Sequence, residues 1–572
     1  MAGDRRAEGL DRFAATDQGV DALVPNCPAV SVPILIGPAP RRTLSRASVA
    51  ARRLWDSDYR PALIATGVAT LLAWGFLLLP PMDTDMSAQL ARADFAGQHP
   101  LSIVDFRWFG GTVVYGYTLW ASILMAHVGT KLTGAIAAIA GTWFATRLLG
   151  RVRPVHPVIG GLAAAVTQVA NVVEGRITFA VGLTCGLIAV ALVTTSRLPR
   201  SSAALLAAIF GALCGGASPV AALLLGIPGA VALFAGRRQD AALLLLPAAG
   251  AAAVTSIVFG DGGRQPFSFV DCARSVIALA VVLAVVPARC RLLRIGAALG
   301  IVLVVAAFVM PTPVGSNASR LSLLFALPVT AAFVQLRTPT RSAALLLGML
   351  LLQLPVNPTA IASTGQVSGY SDYYRPVIDT IQARGPLTGR VEVPEMAGHW
   401  DAVYLARGLP LARGWLRQTD VRLNDEVFYR HDPTPQSYWD FLRTDAVQYV
   451  ALPDAPLTSF GAKEAELITT RLPYLEPVWL NRHWTLYEVL NPTALVDPPG
   501  TVLRQNPDTI TISVPAASQV LVRLRWSHWL GLQSDDRQAC IAPDGLYVTL
   551  RTGSGGTYTF DSRFPVGTGH CD

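Results

Sequence analysis

From residue 61 to residue 356 the chain repeats one pattern: apolar runs, with arginines closing almost every second run. Most runs are about 17–22 residues long, the length at which a helix crosses the hydrocarbon core of a bilayer. The runs are 61–80, 131–149, 155–173, 177–196, 202–216, 218–235, 240–260, 275–290, 294–311, 321–336 and 342–356, about eleven spans. Cytoplasmic loops carry the excess of Lys and Arg. Arg41, Arg42, Arg46, Arg52, Arg53 and Arg60 precede the first run, and Arg147, Arg151 and Arg153 close the second. Later pairs follow the same alternation: Arg197 and Arg200, Arg237 and Arg238, Arg291 and Arg294, Arg337 and Arg341. The pattern predicts a multi-pass plasma-membrane protein with a cytoplasmic N-terminus. An odd number of spans then places the C-terminus outside. Hydrophobic residues make up 52% of the 572 and charged residues only 15%, where a soluble domain is nearer a quarter charged. The net charge of +8 does not point to nucleic acid, because the arginines sit at helix ends.

Four regions follow. Residues 1–40 show no n-region leading into an h-region, hence no cleavable signal, and 1–58 read as a disordered cytosolic tail. Residues 59–356 form the transmembrane domain, with a large acidic first outer loop at 81–130. In that loop "VVYGYTLWASILMAHVG" (113–129) is ambiguous. Were it to span, every later arginine cluster would invert. It is therefore read as a helix at the outer interface, with Tyr115, Tyr117 and Trp120 in the headgroup zone. Residues 357–498 mix helical stretches ("DYYRPVIDTIQARG", "SYWDFLRTDA") with strands ("GRVEVPE", "VQYVALP", "HWTLYEVL") and predict an α/β domain. Residues 499–572 alternate apolar and polar residues with period two and predict a β-sandwich. Of seven cysteines, Cys540 and Cys571 share the outer end and are a candidate disulfide.

Charge on the outer side breaks the positive-inside pattern. Arg176 in "NVVEGRITFAVG" and Arg320 in "PVGSNASRL" open directly into apolar helices. Arginine there is costly unless paired or hydrated. It suits a phosphate or pyrophosphate, with Asn317 in the same turn as Arg320 and Glu174 beside Arg176. Snorkelling to headgroups is the alternative reading, and it weighs more for Arg264 and Arg274. In the first loop a helix over 84–95 would put Asp85, Gln89 and Arg92 on one face, next to Asp83. The alternative is a solvated helix capped by an aspartate. Asp83 and Asp85 also form a DxD triplet, a weak signal for a divalent metal, magnesium or manganese; no cofactor is otherwise indicated. Arg107 adds a cation, and "WFGG" from Trp108 reads as a tight turn under an aromatic ring, either a sugar-stacking platform or an interfacial anchor. Trp526 and Trp529 read as core aromatics before glycan binders. No phosphate-binding P-loop, nucleophile elbow or zinc-protease motif occurs.

The motifs "DTDMSAQLARADF", "DFRWFGGTVVYGYTLW", "NVVEGRITFAVGL" and "PVGSNASRL", set in this topology, resemble the GT-C glycosyltransferases. More narrowly they are similar to a group of actinobacterial membrane proteins related to ones labelled 6-pyruvoyl-tetrahydropterin-synthase-related, a label read here without its activity. The resemblance covers about residues 60–570. It implies a GT-C-like helical fold and an inverting transfer of sugar from a polyprenyl-phosphate donor to a cell-envelope glycan or lipid acceptor at the outer face. In that family an acidic residue early in the first outer loop serves the acceptor, and Asp83 and Asp85 are the matching candidates. Gln89, Arg92, Arg107, Trp108, Glu174, Arg176, Asn317 and Arg320 would then bind substrate. The competing functions are a non-catalytic assembly protein of envelope biosynthesis and a lipid or solute transporter. A transporter expects ionisable residues in mid-helix, and the helix middles here are almost uncharged.

Overall fold

The computed structural model describes residues 58–260, 262–563 and 567–571. The tail expected at 1–58, with Arg41 to Arg53, lies outside the described residues but for its last position. The helices of the first half are α1 (Arg60–Leu78), α2 (Met86–Gln98), α3 (Ala121–Val128), α4 (Thr130–Arg151), α5 (Pro157–Val173), α6 (Ile177–Val193) and α7 (Arg200–Ala217). They continue as α8 (Pro219–Phe234), α9 (Arg238–Ala253), α10 (Phe269–Val285), α11 (Arg291–Val309), α12 (Arg320–Phe333) and α13 (Pro339–Leu352). A helix forms at each apolar run, with bounds shifted by a few residues. The expected 275–290 begins at Phe269, because Ser268 caps the backbone N–H of Asp271 and starts the helix earlier. Five helices are long and apolar enough to cross a membrane: α1, α4, α7, α9 with its extension to Val258, and α11. The chain is a membrane protein on that ground. Small residues bring these helices together: α1 buries Ala62, Ala65, Ala69 and Ala73, and a Cβ on Gly161 of α5 would meet Ala65. Close backbone approach over small side chains is how helices associate where lipid removes the hydrophobic drive.

The segment 113–129 does not form one long helix. Val114–Gly116 is a single 3-10 turn, and the eight residues of α3 end at Gly129, φ +93°. Eight residues rise only about 12 Å. Its aromatic rings, expected in the headgroup zone, each make a contact with protein. Tyr115 packs on Phe259 with ring centres 5.4 Å apart, the Arg92 guanidinium lies 3.8 Å over Tyr117, and Trp120 Nε1 donates to the Leu213 carbonyl.

The rest of the first loop is stitched into the C-terminal half. Strands β1 (Val104–Asp105) and β2 (Thr112–Val113) pair around the "WFGG" turn, where Phe109, Gly110 and Gly111 all have positive φ. A Cβ on Gly110 would sit 2.5 Å from the Arg390 guanidinium, so this turn requires glycine both for its φ and for room. Arg525 donates through its backbone N–H to Gly110 and through Nε to the Phe109 carbonyl.

Beyond the helices, β3 (Arg390–Glu392), β4 (Val447–Pro453), β5 (Leu475–Leu480) and β6 (Trp484–Val489) form one sheet in the order β3-β4-β6-β5, with β3 parallel to β4 and the other pairs antiparallel. Helices Ser371–Ala383, Pro435–Thr444 and Ser459–Thr469 accompany it. Inside this α/β unit Arg413 is fully enclosed. It bonds Asp420 through Nε and Nη2, and Glu464 and Glu392 through Nη1, over the Phe428 ring. Tyr438 donates to Glu464, and Tyr429 and Asn424 donate to Asp420. Burial pushes Glu464 up to about 7 and Glu392 up as well. Burial also pushes on Asp420, yet Arg413 holds it below the usual carboxylate range.

Residues 501–561 form two packed antiparallel sheets. One has the order β10 (Gly531–Gln533), β13 (Gly556–Asp561), β8 (Ile510–Val514), β7 (Thr501–Gln505); the other is β11 (Cys540–Asp544), β12 (Tyr547–Thr552), β9 (Ser518–Val522). Their facing side chains make one core, including Ile512, Val522, Leu550 and Phe560, and Val104 and Phe106 of the first loop belong to it. Cys540 and Cys571 are disulfide-bonded. Trp529 stacks on Phe259 and Trp526 packs on His570, both at the edge of this core.

Candidate active site

Where the helices meet the C-terminal half lies a cavity of about 650 Å³. Three short backbone segments bring its chemistry together. Helix α2 starts at Asp85, and its 3.6-residue period turns Asp85, Gln89 and Arg92 to the cavity. The α5–α6 turn adds Glu174 and Arg176, and the 3-10 turn Gly315–Ser319 leading into α12 adds Asn317 and Arg320. The first two segments are locked to each other: the Asp85 N–H donates to the Glu174 carbonyl. Gly175 (φ +75°) packs so close to Asp85 and Met86 that a Cβ would run into their backbone. Seven of the ten residues expected from the sequence to act on substrate thus line one cavity.

Several side chains there keep unspent hydrogen-bonding groups. Asp85 occupies the N-cap of α2 yet makes no capping hydrogen bond. Gln89 is fully buried, and neither its amide nitrogen nor its amide oxygen has a partner. The Arg176 guanidinium lies 3.5 Å from Glu174, with its Nε buried and unpartnered. Glu174 in turn accepts from the Asn357 N–H at 2.6 Å, so it positions Arg176. Arg320 lies over the Phe179 ring at 4.8 Å. Arg92 donates to the Trp415 carbonyl; burial lowers its pKa, against the pull of Tyr117, Asp85 and Asp105. The C-terminal half closes the wall with Trp415, Arg417 and Gln418. Arg417 is anchored by Glu395 at 2.6 Å, and Trp415 by a stacked His399 at 3.6 Å between ring centres. Burial pushes His399 down to about 4, so it stacks as a neutral ring.

Three expected residues stand elsewhere, which corrects their reading as part of one site. Asp83 gives its N–H to Ser363 Oγ and packs its carboxylate against Gly398, and burial raises its pKa. The two carboxylates of the DxD triplet therefore part company. Among the described residues no group of three or more His, Cys, Asp or Glu side chains is placed to hold a metal ion. Arg107 is 3% exposed and spends its donors on Asp105, Asp94 and the Ala91 carbonyl. It fixes α2 against β1 and has no donor group left for a ligand. Trp108 is 2% exposed and Gly414 packs on its ring, so it is neither a headgroup anchor nor a wall of this cavity.

A family model described as a domain of unknown function, DUF8823, matches residues 497–569. That span coincides with the β-sandwich. Comparison with curated proteins gives no match. Among solved structures the chain is similar to the cryo-EM structure of arabinofuranosyltransferase AftD from Mycobacteria, at 15% identity and a TM-score of 0.42, over 80% of this chain and 41% of that one. A mutant form of the same enzyme gives 14% identity and a TM-score of 0.43, over 80% and 43%. The chain spans less than half the length of these neighbours.

Sequence reasoning missed Tyr117, Trp415, Arg417 and Gln418 as cavity residues. It left Arg274 open between the headgroups and an anion site; Arg274 lines the cavity near Asp271. Tyr117 had a signal, since it lies in the same loop as Arg92. The Trp415 segment had none: its contact with Arg92 spans 323 positions.

Proposed function

We propose that this chain is a membrane glycosyltransferase that moves a sugar from a polyprenyl-phosphate donor to a cell-envelope glycan or lipid acceptor. The transfer takes place in the cavity, on the outer face of a bundle of eleven crossings. The observation that supports this best is the cavity's make-up: one uncapped carboxylate, Asp85, facing Arg92, Arg176, Arg274, Arg320 and Arg417. A surplus of arginines suits a phosphate; of the three carboxylates on the wall, Glu174 and Asp271 sit against Arg176 and Arg274, which leaves Asp85 as the base.

The transfer is a single displacement. The acceptor oxygen attacks the anomeric carbon and gives its proton to Asp85, while the bond from that carbon to the phosphate oxygen breaks and the configuration inverts. Arg320 and Arg176 take up the charge that develops on the departing lipid phosphate. Arg176 keeps its aim through Glu174. Gln89, with two unspent hydrogen-bonding groups beside Asp85, fits the hydroxyls of the sugar in transit. The donor is already activated, so no ATP-binding element is required.

Asp85→Asn keeps the shape and removes the base. Transfer from a polyprenyl-phosphate sugar should fall about 10²–10⁴-fold with binding of the lipid phosphate retained. Asp83→Asn should leave transfer near wild type. Full transfer by Asp85→Asn would refute the assignment of the base.

A further inference from the structure

Beside the main cavity lies a smaller chamber of about 190 Å³, and the residues the two have in common include Arg92, Tyr117, Leu416 and Gln418. Its surface is rich in aromatic rings: Phe95, Trp108, Tyr115 and Tyr117. The charged groups around it are engaged. Asp105 is gripped by Arg107, His99 lies 3.3 Å from Asp508, and Arg92 is stacked on Tyr117 and bonded to Trp415. Two fully buried polar groups on its wall are not engaged. Ser102 and Trp108 both line the chamber, each 2% exposed, and Ser102 Oγ and Trp108 Nε1 are buried without a hydrogen-bond partner. A buried donor left unpaired is costly, and native proteins rarely keep one without a use.

We propose that this chamber is a subsite for one neutral sugar ring of the acceptor. The proposal rests on the reading of the main cavity as the place of glycosyl transfer. Aromatic faces accept the C–H side of a sugar ring, and the two unspent groups match its hydroxyls. An anion would find no free cation there, and a hydrocarbon would leave Ser102 and Trp108 unpaired. The partition is thin: Arg92 and Tyr117 separate the chamber from Asp85, which lies two turns back along α2. A ring held against Trp108 would send its reacting hydroxyl past Tyr117 to the base. Ser102 and Trp108 would then select the acceptor, while Arg320 and Arg176 hold the donor.

The test uses the full chain in lipid nanodiscs and two kinds of probe. Ligand-observed NMR follows methyl β-D-glucopyranoside, methyl α-D-mannopyranoside and methyl β-D-ribofuranoside; a flotation assay follows undecaprenyl phosphate. At least one glycoside should bind wild type. Ser102→Ala and Trp108→Phe should each weaken it about tenfold, the worth of one hydrogen bond, and leave undecaprenyl phosphate within about twofold. Arg320→Ala should do the reverse. Ser102→Ala, a small change, keeps the test valid if Trp108→Phe folds poorly. Wild type that binds no glycoside, or variants that bind it as well as wild type, would overturn the subsite. Glycoside binding that weakens as expected, with undecaprenyl phosphate bound by no form, would keep the subsite and remove the donor reading of the main cavity.

Discussion

The protein buries two dense clusters of charge, and they differ in what is left over. Around Arg413, three carboxylates, two tyrosines and an asparagine close on one guanidinium, and among their fully buried side-chain polar atoms only Glu392 Oε2 lacks a hydrogen bond. Around Asp85 and Arg320 the charges line open space, and Gln89 and the Arg176 Nε lack partners. Counting charges would rank the first cluster above the second. Counting unspent hydrogen bonds reverses the order. A closed network holds a fold, and only an open one has capacity for a ligand.

Four changes sharpen or break this contrast. Arg413→Leu should have the largest effect on stability, a loss on the order of 3–5 kcal/mol, because it strands buried carboxylates; the melting temperature of the purified protein reads it. If that variant melts like wild type, the closed cluster is not structural. Arg320→Ala should instead leave melting nearly unchanged and weaken lipid-phosphate binding about 10- to 150-fold, the range for charge-assisted hydrogen bonds. Arg320→Lys should recover part of it, since a planar fork becomes a point charge. Loss of stability without loss of affinity would move Arg320 into the structural class.

Gln89→Leu is the third. It removes a buried amide that has no partner, so melting should hold or rise, by about 1 kcal/mol, while transfer falls. A stabilising change that harms activity is the mark of a site held open at a cost to the fold. The fourth change concerns pH. Glu464 has a folded pKa raised to about 7 from 4.5. Its contribution to stability is full below about 4.5 and is lost as pH rises through about 7. Glu464→Gln keeps a polar partner for Tyr438 and cannot ionise. Its stability relative to wild type should therefore climb between those two pH values, by about 3 kcal/mol, and then stay level. Parallel pH curves for the two proteins would show that Glu464 does not titrate with a raised pKa.

The contrast also explains what was legible in the sequence. The apolar runs were plain, because helix length and arginine placement are local features. So were Asp85, Gln89 and Arg92, which one helical period brings to one face. Strand β4 was read at its observed bounds, Val447–Pro453, from alternation alone. The closed cluster was not legible: Arg413, Glu392 and Glu464 are dispersed and look like surface charge until the sheet folds them inward. Arg107 misled for the same reason. An arginine in an outer loop reads as free, and only the fold shows Asp105, Asp94 and Ala91 consuming it. Trp415 and Arg417 enter the cavity through tertiary packing that no local pattern encodes.

The stitching of the first loop bears on how the molecule comes to be made. The backbone N–H groups of Ile103 and Val104 bond Ser562 Oγ across 459 and 458 positions, and Phe106 bonds the Pro507 carbonyl. Loop closure over such separations comes late and slowly. During synthesis β1 has only β2 as a partner until Pro507 and then Ser562, just past β13, emerge. The wall at Arg92, which also needs Trp415, therefore cannot be finished by a nascent or truncated chain. The same threads that hold the loop in place act as a check on completeness: the cavity gains its final shape only once the last sheet has closed over Val104 and Phe106.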